Sequence, residues 1–304
     1  MTRWTTSWPA ARRWSRGRRS PHAPPQLRSD GRSTWAACSD ALYEQKEAII
    51  LASATLSTDR NFEYVKSRLG LSSPEELLVG SPFDYKSSTL LLLSNDIPEP
   101  GSPGYQKAVE AAVIELALAA GGRTLVLLTS HSAVQATFKG VHRQLAQHDI
   151  LVLAHGDGPR HRLLEQFKSN PQTVLLGTRS FWEGVDVVGE ALSLLIIAKL
   201  PFEVPTDPVF AARSEGFDDP FGQYAVPQSI LRLKQGFGRL IRSKQDRGVV
   251  VALDRRLVSK SYGKQFLRSL PPATMRKGPS DLLPSETERW LAAGSRAAKV
   301  MARE

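Results

Sequence analysis

The sequence predicts a doubly wound α/β domain over about residues 41–272. It would be a parallel sheet with helices on both faces, preceded by an irregular basic arm and followed by a short tail. Three observations predict it. Short, continuous apolar runs recur along the chain, polar or glycine-rich turns bound them, and helix-length segments separate them. Continuous rather than alternating apolar runs are the pattern of strands covered on both faces, which is the pattern of parallel sheets. Such sheets bind ligands at the carboxyl ends of their strands.

The elements follow in order. "EAIILASAT" (47–55) reads as a short buried strand with a polar exit, and "STDRNFEYVKSRLG" as a helix capped by Ser57 or Thr58 and stopped by Gly70. "SSTLLLLS" (87–94) is an apolar strand, "YQKAVEAAVIELALAAGG" a long helix ending at Gly121 and Gly122, and "RTLVLLTS" (123–130) a buried strand. "SAVQATFKGVHRQLAQH" is a helix, "ILVLAHG" a strand, and "PRHRLLEQFKSN" a helix starting near Pro159. "QTVLLGT" and "LSLLIIAKLP" are strands, "VPQSILRLKQGFGRLIRS" is a helix, and "RGVVVALD" is a strand. From "PPATMRKGPSDLLP" onward, residues 273–304 read as a Pro-rich linker and a short terminal helix.

The chain has 304 residues, 41% of them hydrophobic and 23% charged, enough to bury a core. Its net charge of +10 suits a polyanionic partner such as nucleic acid. The charge is uneven: residues 1–40 hold eight arginines, no lysine and two acids, so +6 of the +10 lies there. That arm also carries Trp4, Trp8, Trp14 and Trp35 and has no helix or strand period. Three readings compete for it: a disordered basic arm on nucleic acid, a transit-like segment, or non-native sequence from an out-of-frame junction. The abrupt onset of periodic pattern near Ala41 favours the last. A single cysteine, Cys38, excludes an internal disulfide, a cysteine-ligated zinc site and an iron–sulfur cluster built from this chain alone. No apolar run approaches the ~18–20 residues of a membrane span. The expected compartment is cytoplasmic, with no membrane partner.

"KQGFGRLIRS" (234–243) carries the most specific chemistry. At helical spacing Ile230, Leu233, Phe237, Leu240 and Ile241 form an apolar stripe, with Gln228, Arg232, Gln235, Arg239 and Arg242 opposite. By pattern alone this is a core helix with a solvated basic face. Gly236 and Gly238 argue otherwise, since each costs about 1 kcal/mol relative to alanine inside a helix. They suggest close approach by another backbone or by a ligand. Two guanidinium groups beside a glutamine suit a triphosphate whose charge shifts during hydrolysis.

Five segments together resemble superfamily 2 helicases of the DinG/XPD branch. "QGFGRLIRS" resembles motif VI, "GTRSFWEGVDVVGE" (177–190) motif V, "LASATLS" (51–57) motif III and "LVLLTSH" (125–131) motif IV; "AKLPFEVPTDPV" (198–209) is similar to a further stretch of DinG-type proteins. They occur in family order over about residues 41–272. The resemblance implies a RecA-like second motor domain of an ATP-dependent helicase that translocates on single-stranded nucleic acid, DNA by family. It implies catalytic roles for Arg239, Arg242 and Gln235, and nucleotide contacts for Glu183, Gly184 and Asp186. Ser53 and Thr55 would couple nucleotide state to nucleic-acid grip; their plain reading is a cap for a helix beginning near Thr58. Thr129, Ser130 and His131 would meet the strand's backbone; the plain reading is an N-cap. Thr178 and Arg179 follow another strand end and suit a phosphate. Trp182 and Phe181 either stack on a base or fill the core.

Five of the six histidines lie between His131 and His161, without carboxylates or cysteines at ligand spacing, so no metal site is expected in this chain. The loop "HGDGPRHR" (155–162) suits either a backbone contact or a surface turn. No G-x-x-x-x-G-K-[ST] loop and no Asp-Glu dipeptide occurs. ATP with Mg²⁺ is the implied ligand, with the phosphate cradle and Mg²⁺ ligands expected on a first RecA-like domain preceding residue 41. The isolated chain is accordingly expected to have little or no ATPase activity. The alternative is a non-catalytic single-stranded nucleic-acid-binding module or partner subunit.

Overall fold

The computed structural model describes residue 43 and residues 45–71, 73–182, 192–243 and 245–301. Seven strands form one parallel sheet: β1 (Thr89–Ser94), β2 (Thr124–Leu127), β3 (Leu151–Ala154), β4 (Thr173–Gly177), β5 (Leu194–Ile197), β6 (Gly248–Ala252) and β7 (Thr274–Gly278). Their order is β3-β4-β2-β5-β6-β1-β7. The chain leaves β2 for β3 and β4 on one side and returns through β5 and β6 on the other. The carboxyl ends of β2, β4 and β5 therefore lie where the winding reverses, the usual ligand position in doubly wound sheets.

The helices are α1 (Glu63–Leu69), α2 (Tyr85–Ser88), α3 (Tyr105–Ala120), α4 (His131–Ala146), α5 (Arg160–Ser169), α6 (Arg179–Trp182), α7 (Pro208–Ser214), α8 (Val226–Phe237), α9 (Arg256–Ser259), α10 (Gly263–Ser269) and α11 (Leu283–Met301). A π-helical turn, Pro220–Ala225, leads into α8. Strand side chains alternate between two cores. Leu91, Leu125, Leu127, Leu195 and Val250 pack with Phe181, Trp182, Ile230, Leu233 and Phe237 on one face. Leu90, Leu92, Val126, Ile196 and Val251 pack with Val113, Leu116, Val134 and Leu283 of α3, α4 and α11 on the other.

Four expectations are corrected. First, residues 48–53 form no strand, and Ile50 is 90% exposed with Ile49 and Leu51 exposed beside it. An apolar run signals burial in some sheet but does not say whether a neighbouring strand is present. Second, neither Ser57 nor Thr58 caps a helix, and Ser53 and Thr55 have no helix there to cap. Asp59 and Arg60 have left-handed backbone (φ 47 and 63), Thr58 bridges to Asn61, and α1 begins only at Glu63. Third, α8 stops at Phe237 rather than running to Ser243. Fourth, the tail is not a plain linker with a short helix. It contributes β7 beside β1, with Thr274 Oγ1 donating to the Lys86 carbonyl at 2.6 Å, and then the 19-residue α11. β7 escapes a hydrophobicity reading because it is an edge strand carrying Met275, Arg276 and Lys277 on exposed positions, as edges that resist mispairing do. Among the described residues, no helix is long and apolar enough to cross a membrane.

Candidate functional site

The site is built around Trp182. This indole is 2% exposed. Its Nε1 donates to the Leu128 carbonyl at the end of β2 (3.2 Å), and its own carbonyl accepts from Arg239 Nε (3.1 Å). Its ring lies against Gly236, where an added Cβ would sit 2.7 Å from Trp182 Cε3 and 3.1 Å from Leu127 Cδ1. Gly236 is therefore a close approach, and the approaching group is a core indole rather than a ligand. Gly238 has another role: it terminates α8, with its N–H donating to the Lys234 carbonyl at 2.9 Å. Burial corrects the base-stacking reading of Trp182 and of Phe181, which is 0% exposed. Trp182 instead ties the ends of β2, α6 and α8 together.

Arg239 and Arg242 do not share a continuous helical face. Both lie beyond α8, Arg239 in the turn directly after it, where its N–H donates to the Gly236 carbonyl at 3.0 Å, and Arg242 in a segment clasped by Asp246. Asp246 Oδ2 accepts from the Arg242 N–H (2.7 Å) and the Ser243 N–H (2.8 Å), and Oδ1 from Ser243 Oγ (2.8 Å). Gln235 remains on α8, and its Oε1 is buried with no hydrogen-bond partner among the described residues. Glu183, Gly184 and Asp186 lie outside the described residues.

A second cluster gathers at the carboxyl ends of β2, β3 and β4. Ser130 Oγ accepts from the Ala133 N–H at 3.1 Å, so Ser130 is the N-cap of α4, with exposed His131 next to it. His155, following β3, bonds Thr178 Oγ1 through Nδ1 at 2.6 Å. Thr178 is only 5% exposed, so its hydroxyl faces His155 in the interior. The His155 ring lies 4.6 Å from that of His131 and edge-on to Phe181 at 4.9 Å. Burial first, and then the nearby His131 and Arg160, hold the His155 imidazole below its ordinary pKa. Thr129, Ser130, His131, Thr178 and Arg179 thus lie near one end of the sheet, with Arg179 the exposed cation among them.

Polar ties that the sequence does not announce hold these parts together. Asp254, 1% exposed, accepts from the Leu200 N–H (2.9 Å) and from Arg256 Nε (2.8 Å), pinning the loop after β5. That loop carries Glu203, whose Oε1 accepts from Arg179 (2.9 Å) and from buried Arg232 on α8. Lys234 Nζ donates to the Ser57 carbonyl (2.8 Å) and lies 3.2 Å from Ser57 Oγ, joining α8 to the Ser53–Ser57 segment. Burial pulls the Lys234 pKa down. Ser53 and Thr55 form a local exposed turn, the Thr55 N–H donating to Ser53 Oγ at 3.2 Å. No group of three or more His, Cys, Asp or Glu able to hold a metal ion occurs among the described residues.

Residues 113–273 match the family model for the helicase C-terminal domain. The chain is 42% identical over 228 residues to the ATP-dependent DNA helicase YoaA of Escherichia coli, covering 74% of this chain and 35% of that protein. It is 38% identical over 231 residues to the ATP-dependent helicase DinG of Mycobacterium tuberculosis (73% and 34%). It is 33% identical over 264 residues to the 3′–5′ exonuclease DinG of Bacillus subtilis (83% and 28%). The chain thus spans about a third of the length of these relatives. Among solved structures an XPD helicase superposes with TM-score 0.59 at 19% identity, covering 80% of this chain and 45% of that one. At that identity the likeness concerns fold alone.

Proposed function

Because the chain belongs to the helicase C-terminal domain family, in the branch of the DinG- and YoaA-like ATP-dependent helicases, we propose that it forms the arginine-bearing wall of an ATP site whose other wall is a first RecA-like domain. The observation that carries this reading is the tie between Arg239 and the Trp182 carbonyl, which anchors the arginine turn to the last described residue before Glu183, Gly184 and Asp186. Arg239 and Arg242 would face the phosphates, where fixed guanidinium groups stabilise the charge that develops as the terminal phosphoryl group leaves. Gln235 lends polar support beside them. No group on this chain fits the Mg²⁺ or phosphate-cradle role, since the sequence holds neither the loop nor the acidic pair. The chain alone therefore lacks ATPase activity.

The nucleic-acid face would be the ends of β2 and β4, where Thr129, Ser130, His131 and Arg179 meet a phosphodiester backbone. Ser53 and Thr55, linked to α8 through Ser57 and Lys234, would relay nucleotide state. The test is a fusion of residues 41–304 behind the preceding part of a YoaA-like relative. DNA-stimulated ATP hydrolysis is expected in the fusion and absent from the chain alone. Arg239→Ala in the fusion should lower kcat by on the order of 10³-fold. A Mg²⁺-dependent ATPase in the pure chain near the rate of intact helicases, or an Arg239→Ala fusion with undiminished kcat, overturns the reading.

A further inference from the structure

Glu203 stands between two arginines that differ in surroundings. Arg232, on α8, has a side chain 10% exposed and also lies 3.4 Å from the Pro201 carbonyl. Arg179, at the start of α6, has a side chain 63% exposed, and Glu203 Oε1 holds it at 2.9 Å. The carboxylate itself is 22% exposed and cannot drift far. Asp254 fixes the Leu200 N–H of its loop, and the Phe202 ring stacks on Phe221 at 5.6 Å and meets Phe266 edge-on at 5.7 Å. One rigidly mounted carboxylate thus serves a buried cation that needs it and an exposed cation that gains little from it.

We propose that Glu203 is a built-in competitor for the phosphodiester at Arg179. It holds the guanidinium when no strand is bound and surrenders it when a backbone phosphate arrives. This rests on the proposed nucleic-acid face. Arg179 presents a planar fork that a phosphate oxygen pair fills as well as a carboxylate does. When Arg179 leaves, Glu203 keeps only Arg232. Strand binding is thereby felt on α8, the helix that carries Lys234 and runs into the Arg239 turn. Glu203 is a positioning residue in this scheme and touches no nucleic acid itself.

The experiment measures binding of a 20-mer oligo-dT to the full chain by fluorescence anisotropy across a salt series, in wild type, Arg179→Ala, Glu203→Gln and the double variant. Arg179→Ala should weaken binding about threefold to tenfold and make the salt slope shallower by about 0.7, the signature of one lost single-strand phosphate contact. Glu203→Gln keeps an acceptor for Arg232 and removes the competing charge. It should tighten binding up to about fivefold at low salt, the worth of one exposed ion pair, with a gain that shrinks as salt screens the pair. In the Arg179→Ala background the gain should vanish. Glu203→Asn, which also removes the charge and keeps an amide acceptor, should show the same Arg179-dependent gain and replaces Glu203→Gln if that variant melts early. If Arg179→Ala binds like wild type, the nucleic-acid face at Arg179 is wrong and the inference falls with it. If Arg179→Ala weakens binding but the Glu203 variants do not tighten it, or tighten it equally without Arg179, the face stands and the competitor role is overturned.

Discussion

Two apolar runs of similar composition meet opposite fates in this fold. "TLLLLS" (89–94) becomes β1, buried along its whole length between β6 and β7. "AIILA" (48–52) leaves Ile50 90% exposed. Residues 77–79 behave like the second run, with Leu77 and Val79 at 80% and 73%. The chemistry of the side chains does not separate the runs; the availability of partners does. β1 has a hydrogen-bonded strand on each side and a helical layer on each face, whereas residues 48–52 have neither among the described residues. Exposed apolar stretches of this kind mark surfaces that another body covers, which accords with the proposed first domain.

The sharpest test of this contrast is stability. Leu92→Ala removes a side chain 1% exposed from β1, in the core under α3 and α11, and should cost about 2–5 kcal/mol in denaturant unfolding. Ile50→Ala in the same chain should change stability by no more than about 0.5 kcal/mol. Comparable losses would mean that the 48–52 segment is packed in solution, breaking the comparison. In the fusion with a first domain, the amides of residues 49–51 should gain hydrogen-exchange protection while those of β1 are unaltered.

A smaller effect separates packing from ligand contact at Gly236. Gly236→Ala drives a methyl to within 2.7 Å of the Trp182 ring and should destabilise the isolated chain by about 1–3 kcal/mol, the usual cost of overpacking. A variant that melts like wild type would show that the indole does not sit against this glycine.

How much of this was legible follows from what each residue depends on. β1 to β6 announce themselves because parallel strands covered on both faces are apolar, and even β3 at the other edge of the sheet is buried from Val152 to Ala154, whereas β7 hides because it carries Arg276 and Lys277 on exposed positions. Gly236 could be singled out from propensity alone, but its neighbour could not, because Trp182 lies 54 residues earlier in the chain. The same holds for the ionic ties. Glu203 with Arg179 and Arg232, and Asp254 with the Leu200 N–H, join positions 24–54 residues apart. Nothing local marks those acids as different from solvated ones. The Arg239–Arg242 pair was visible through its spacing. The break of α8 before it was not, because Gly238 reads equally well as a strained helical residue and as a helix end.

The smallest effect belongs to the polar cluster at the ends of β2, β3 and β4, and its sign can be worked out. His155 has its pKa lowered from the ordinary 6.5, chiefly by burial and then by His131 and Arg160. Below pH 6.5 the unfolded chain takes up a proton at this position before the folded chain does. The contribution is therefore fully present above about pH 6.5 and is lost as pH falls toward the depressed folded value. Stability should rise with pH across this window, modestly, because His155 is only part-buried. Protonating the imidazole in place puts a charge in a part-buried site, the chief cause of the lowered pKa, and adds repulsion from His131 and Arg160. Thermal melts of wild type and His155→Gln between about pH 5 and pH 7 would read this as a steeper slope in wild type. Parallel slopes would mean that the imidazole is as solvated as a free one, placing this cluster with the exposed 48–52 run rather than with the buried core beneath it.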